Sequence, residues 1–173
     1  VPLTNMTSVK LLGVTIDDRL TFDEHLHDIC KKAGQQLNVL RRLEKYTTFE
    51  TRHAIYEGFI MSNFEYCSII WHFCGKAKND ELECIQKRSL RYVYKDYTSD
   101  YNELLDKSQS ITIYTHRLRT IATTVYKCVN NLTPKYLDSL FNQKVCNYEF
   151  RDPTKLVLPK FNTYRYGFRC VSY

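Results

Sequence analysis

The sequence predicts a mainly α protein, a helical bundle of five to six helices with a short N-terminal β-strand and a partly extended C-terminal tail. Three observations carry this expectation. Apolar residues recur at helical spacing through several segments between 21 and 145, each opened by a Ser, Thr, Asp or Asn start signal. Alternating or β-branched character is concentrated at Val9 to Ile16. From Cys146 onward, turn residues, a short apolar run and a basic-aromatic stretch replace the helical pattern.

The strand comes first. Val9, Leu11, Leu12, Val14 and Ile16 are apolar or β-branched, and Asp17-Asp18 supplies its stop. The first helix begins near Thr21, with Glu24 placed as a capping-box partner. Its core stripe is Leu26, Ile29, Cys30, Ala33, Leu37, Leu40 and Leu43, and Gly34 inside it costs roughly 1 kcal/mol relative to Ala. Thr47-Thr48 starts a second helix, dense in apolar residues from Ala54 to Trp71, which is expected to be central and to end at Gly75. Asn79-Asp80 opens a third, through Leu82, Ile85, Leu90 and Val93. Ser99 to Lys107 reads as a short helix. Thr112 caps another, with stripe Leu118, Ile121, Ala122, Val125 and Val129, which ends near Asn130-Asn131. Thr133-Pro134 introduces a last short helix through Tyr136, Leu137, Leu140 and Phe141.

Composition bounds function. With 43% apolar and 25% charged residues the chain is a folded protein rather than a disordered one. A net charge of +6 favours polyanions without amounting to a strong nucleic-acid signature. Fourteen Tyr and nine Phe suit a surface that stacks on bases or on a partner protein, or simply a Tyr-rich core. Seven scattered Cys, odd in number and without a Cys-x-x-Cys, argue against a zinc module or a secreted disulfide framework and fit a reducing intracellular compartment, nucleus or cytoplasm. No apolar stretch reaches the length of a membrane span, since Phe59 to Cys74 is broken by Asn63, Glu65 and His72.

No catalytic set assembles. Asp17 and Asp18 follow a strand as polymerase metal ligands do, but that pattern places an aromatic residue two positions before the pair, where Thr15 stands, and the pair reads instead as a turn at a helix N-terminus. His25 and His27 point roughly 200° apart on a helix and do not converge on one metal. Phosphate-cradling glycine loops and a nucleophile elbow are absent, so the expected catalytic set, metal set, cofactor and small-molecule substrate are all none. Basic residues gather at helix ends: Arg41, Arg42 and Lys45; Lys87, Arg88, Arg91 and Lys95; Arg117 and Arg119. Helix dipoles favour that placement by themselves, and several such ends lining one groove would also neutralise phosphates without reading sequence.

Lys10-Leu11-Leu12-Gly13-Val14-Thr15-Ile16-Asp17 resembles the K-x-L-G-V-x-L-D primer-grip strand that follows the catalytic palm in reverse transcriptases of non-LTR (LINE-type, jockey-like) retrotransposons. Ser62, Phe64, Tyr66, Cys67 and Trp71 are similar to the family's S-x-F-x-Y-C-x-x-x-W, and Ile85, Arg88, Leu90, Arg91, Val93, Tyr94, Asp96 and Tyr97 to its I-x-x-R-x-L-R-x-V-Y-x-D-Y. Ser110 to Ile113, Arg117-Leu118, Tyr126-Lys127 and the run Leu156 to Gly167 continue the likeness in order. Leu11 departs from it, standing where the family usually carries Tyr or Phe, and the chain stops before the usual G-P-x-x-W. The resemblance implies a primer-grip-like strand and turn over 1–20, a helical thumb-like domain over 21–145 and a basic aromatic tail over 146–173. It implies a non-catalytic piece of an RNA-directed DNA polymerase whose palm lies upstream and whose partner is the RNA–DNA template–primer duplex. Lys10, Arg41, Arg42 and Lys45 are then the expected phosphate contacts, and Gly13 the place where backbone approaches the primer. The competing reading is a helical protein-interaction module derived from a retroelement, with no membrane contact in either case.

Overall fold

A computed structural model of the chain describes residues 6–138, and the predicted tail over 146–173, with Leu140 and Phe141, lies outside them. The chain divides after Arg117 into two compact units. Among the described residues the architecture is mainly helical, as the sequence predicts, and the β-structure is confined to the N-terminal end.

The N-terminal β-structure is a hairpin rather than the single strand expected. β1 (Ser8–Leu11) pairs antiparallel with β2 (Val14–Asp17), with Val9 opposite Ile16 and Lys10 opposite Thr15. The two residues between them, Leu12 and Gly13, have φ of 48° and 87°. Two successive positive φ angles define the type I′ turn, whose twist matches that of the flanking strands. Leucine is an unusual first residue for that turn, and the continuous apolar run across it conceals the reversal.

Helix α1 (Asp23–Leu43) begins two residues later than expected and without the predicted capping box. Its N-cap, Phe22, is left-handed (φ 58°) and makes no side-chain cap. Asp17 supplies the acceptors instead. One carboxylate oxygen receives the N–H groups of Arg19 and Thr21, both at 3.0 Å, and the other receives the Thr21 hydroxyl at 3.1 Å and the Phe22 N–H at 2.6 Å. The stripe on α1 is as read from the sequence, with Leu26, Ile29, Cys30, Ala33, Leu37 and Leu40 buried; Leu43 is only half-buried.

The expected helix from Ala54 to Trp71 is divided. Thr48 caps α2 (Phe49–Ile55), which runs into a π-helical stretch, Tyr56–Met61, and then α3 (Ser62–Glu65). Tyr66 leaves the helix (ψ 120°) and Cys67 is left-handed (φ 49°), so Trp71 sits in a series of turns. The Trp71 indole N–H donates to the Tyr66 carbonyl at 3.3 Å, satisfying an acceptor at the point where the helix stops. Tyr56, Ile60, Phe64 and Trp71 are all buried, so apolar density predicts their burial without distinguishing a helix from compact turns.

Gly75, expected as a C-cap, is the N-cap of α4 (Lys76–Tyr94), and its carbonyl accepts from the N–H groups of Lys78 and Asn79, both at 3.1 Å. The densest packing is between α1 and α4 rather than around the 54–71 segment. Leu26 and Leu40 of α1 and Leu82 and Leu90 of α4 are completely buried, and each stabilises the fold by about 1.5–3 kcal/mol. Helix α5 (Tyr101–Ser108) follows an N-cap Asp100, whose N–H donates to Glu103 Oε2 at 3.1 Å in the manner of a capping box. Helix α6 (Ile113–Val129) is capped as expected by Thr112, which accepts the Thr115 N–H at 3.1 Å. The Glu83 carboxylate of α4 adds acceptors for the N–H groups of Ile113 and Tyr114, at 3.2 and 2.9 Å.

Two buried arginines of the first unit are held by hydrogen bonds and, in one case, by aromatic rings. Arg52 of α2 is buried and donates to the carbonyls of Val93 (2.9 Å) and Thr47 (2.6 Å), tying the start of α2 to the end of α4. Arg117 is 1% exposed, donates to Asn79 and lies 4.8 Å over the Trp71 ring and 5.8 Å from that of Tyr114. That burial removes Arg117 from the basic helix ends that could line a groove, because its guanidinium is committed to the core. In the second unit, α6 ends at Val129 with Asn131 left-handed (φ 56°), and α7 (Lys135–Asp138) follows Pro134. Among the described residues no helix is long and apolar enough to cross a membrane.

Candidate nucleic-acid interface

The hairpin rests on α1 and on the end of α3, and a half-open cleft of about 370 Å³ lies where the three meet. The hairpin contributes Lys10, Gly13 and Thr15 to its wall. Helix α1 contributes His25, Asp28 and Lys32, residues three or four apart that share one helix face. Ser62, Asn63 and Tyr66 close the third side.

Each wall is held by specific contacts. Tyr66 donates its hydroxyl to the carbonyl of Leu12, and its Cε1 lies 3.6 Å from the point where a Cβ on Gly13 would stand. The Thr15 N–H donates to Nδ1 of His25 at 3.4 Å, joining β2 to α1. With Nδ1 accepting, neutral His25 carries its proton on Nε2. Burial holds the His25 pKa below the ordinary histidine value; the charge of Lys10 acts in the same direction and that of Asp28 opposes it. Asn63 spends its amide on Gln36 Oε1 (2.7 Å) and on the Phe59 carbonyl, so it forms a firm wall.

The five residues singled out in the sequence fall into two places. Lys10 and Gly13 are together in the cleft. Arg41 and Arg42 occupy the last turn of α1, and Lys45 follows it, all three exposed. From Lys32 to Arg42 the helix rises roughly 15 Å, and Arg41 lies roughly 180° around the axis from Lys32. The hairpin end and the far end of α1 are therefore separate basic patches. Lys32, His25, Asp28 and Tyr66 are cleft residues that sequence reasoning did not assign. The 25, 28 and 32 spacing is a signal that could have found three of them, whereas nothing local in the sequence brings Tyr66 to Gly13.

The acidic pair behaves as a turn. Asp17 accepts four hydrogen bonds; burial acts against its ionisation, but those from Thr21, Phe22 and Arg19 hold its carboxyl below the ordinary value. His25 is buried and His27 exposed, so the two diverge. Among the described residues no three His, Cys, Asp or Glu side chains are gathered closely enough to hold a metal ion.

A Drosophila melanogaster protein described as "Probable RNA-directed DNA polymerase from transposon BS" is 28% identical to this chain over 90 residues, covering 50% of the chain and 10% of that protein. The chain is thus similar to a small part of a transposon-encoded RNA-directed DNA polymerase. No family model and no solved structure matches it.

Proposed function

We propose that the chain is a non-catalytic part of a reverse transcriptase of a non-LTR, jockey-like retrotransposon, and that it holds the RNA template–DNA primer duplex for a catalytic palm located elsewhere in the polymerase. In this reading the hairpin is the primer grip and the helices from α1 onward are thumb-like. The observation that carries it is the hairpin tip: a glycine-containing turn, fixed on α1 by His25 and on α3 by Tyr66, presents Lys10 beside Lys32 in an open cleft. The similarity to a transposon polymerase supports the same reading. The contribution to the reaction is positional: a primer end held in register meets the reacting groups already oriented. Phosphate contacts come from Lys10 and Lys32 at one end of α1 and from Arg42 and Lys45 at the other, with Arg41 contributing less because of its helical phase.

Fluorescence anisotropy with a labelled RNA–DNA hybrid tests this. Four phosphate contacts predict that affinity falls roughly 100-fold between 50 and 200 mM salt, and replacing any one of the four by Ala lowers the salt slope by about one. Arg41→Ala produces a smaller change than Arg42→Ala. Absence of hybrid binding at low salt would overturn the proposal and leave the helical protein-interaction module in its place.

A further inference from the structure

Tyr66 is anchored and yet open. Its backbone has left the helix, its hydroxyl is committed to the Leu12 carbonyl and one ring edge faces Gly13, but 51% of the residue remains exposed. A ring fixed at its edge and hydroxyl, with surface still open to solvent, offers a base a stacking platform at little cost in side-chain freedom. The cleft beside it has the volume of a site for one small ligand, not of a groove that tracks two strands. Lys10 and Lys32 reach the same space from the hairpin and from α1. Asp28 reaches it as well, and this carboxylate decides the ligand class. A lone phosphate would be repelled by it, whereas a base amino group would donate to it.

We infer that the cleft takes one unpaired nucleotide of a single strand, its base stacked on Tyr66, its phosphates flanked by Lys10 and Lys32, and its exocyclic amino group donated to Asp28. The inference rests on the hybrid-holding reading and narrows it to the strand and the kind of nucleotide that enters the hairpin end. Cytosine, adenine and guanine carry the amino donor and thymine and uracil do not, so the site discriminates among bases by that group. His25, in the wall of the cleft, serves as the joint between β2 and α1.

The test compares three labelled RNA–DNA hybrids of equal duplex length: blunt, with a single-stranded dC overhang, and with a dT overhang. The full chain is expected to bind the dC overhang about tenfold more tightly than the blunt hybrid, with dT between them. Tyr66→Phe and Tyr66→Ala both release the Leu12 carbonyl, so any loosening of the hairpin is common to the two. Only Tyr66→Ala removes the ring, and only it abolishes the overhang advantage. Asp28→Ala equalises dC and dT. Equal binding of blunt and overhang hybrids by the unaltered chain overturns the inference while leaving the hybrid-holding reading intact, as does an equal loss of the overhang advantage in the two Tyr66 variants. Failure to bind any of the three overturns both.

Discussion

The turn at Leu12-Gly13 sets two substitutions against each other. Leu12 has φ 48° and is 82% exposed, so it bears the strain of a left-handed residue with little packing in return. A left-handed conformation costs a branched residue about 1–2 kcal/mol, and Asn tolerates it better through local hydrogen bonding. Leu12→Asn creates the favoured Asn-Gly pair and is expected to stabilise the hairpin by about 1 kcal/mol. Gly13 has φ 87°, and a Cβ there would meet only ordinary van der Waals contact, 3.6 Å from the Tyr66 ring. The cost of Gly13→Ala is therefore backbone strain alone, about 1–2 kcal/mol. Hydrogen exchange of the Val9 and Ile16 amides measures this directly, because a two-stranded hairpin opens locally before the helical core unfolds. Protection should rise about fivefold in Leu12→Asn and fall roughly fivefold to thirtyfold in Gly13→Ala. Gly34→Ala is the control. It lies inside α1 with no atom within 4 Å of the added Cβ, and should raise global stability by roughly 0.5–1 kcal/mol without altering hairpin exchange. Unchanged exchange in Gly13→Ala would refute the assignment of a positive-φ turn.

Two further outcomes follow from buried polar groups. Arg52→Ala removes the donors to Val93 and Thr47 and leaves their carbonyls short of partners, so urea denaturation should show a loss of about 2–4 kcal/mol, only partly recovered in Arg52→Lys, which cannot present the same fork. His25 and His72 both have pKa values lowered by burial, with Lys10 and Arg117 respectively adding to the effect. The unfolded chain then binds protons that the folded one refuses, so these residues cost no stability above the ordinary histidine pKa of about 6.5 and lower it progressively as pH falls below that value. The urea midpoint should fall from pH 7 to pH 5, less so in His25→Gln, and a midpoint that rises over this range would contradict the sign.

Helical periodicity made much of the bundle legible. The stripe of α1, the Thr48 and Thr112 caps and the end of α6 near Asn130 stand where spacing and start signals put them. The errors fall where a backbone turns left-handed, where a partner is remote in sequence, or where a glycine suits either end of a helix. Leu12 gives no sign of its positive φ, and the apolar run from Val9 to Ile16 therefore reads as one strand. Trp71 is as buried as a central helix would make it, but its indole N–H answers a carbonyl freed where Tyr66 turns out of the helix. Gly75 fits either end of a helix, and only its extended ψ of 155° makes it an N-cap. At the candidate site, Lys10 and Gly13 were legible from the opening motif. Tyr66 was not placed beside them, because 52 residues of strand, helix and turn lie between it and Gly13.

Asp17 links the hairpin to the helices. A metal-binding carboxylate needs lone pairs free for the ion, yet the four hydrogen bonds to Asp17 occupy what its two oxygens offer. Three of those bonds come from Thr21 and Phe22, immediately before α1, while the backbone of Asp17 itself pairs with Ser8 at the open end of the hairpin. One residue thus closes β2 and fixes the start of α1, and His25 repeats the connection a turn further along through Thr15. The hairpin that carries Lys10 and the helix that carries Lys32 are held at two points close to the cleft between them. For a segment proposed to act by position, that joint matters more than any single basic contact, because a lysine on a loosely attached hairpin would bind phosphate without fixing where the strand lies.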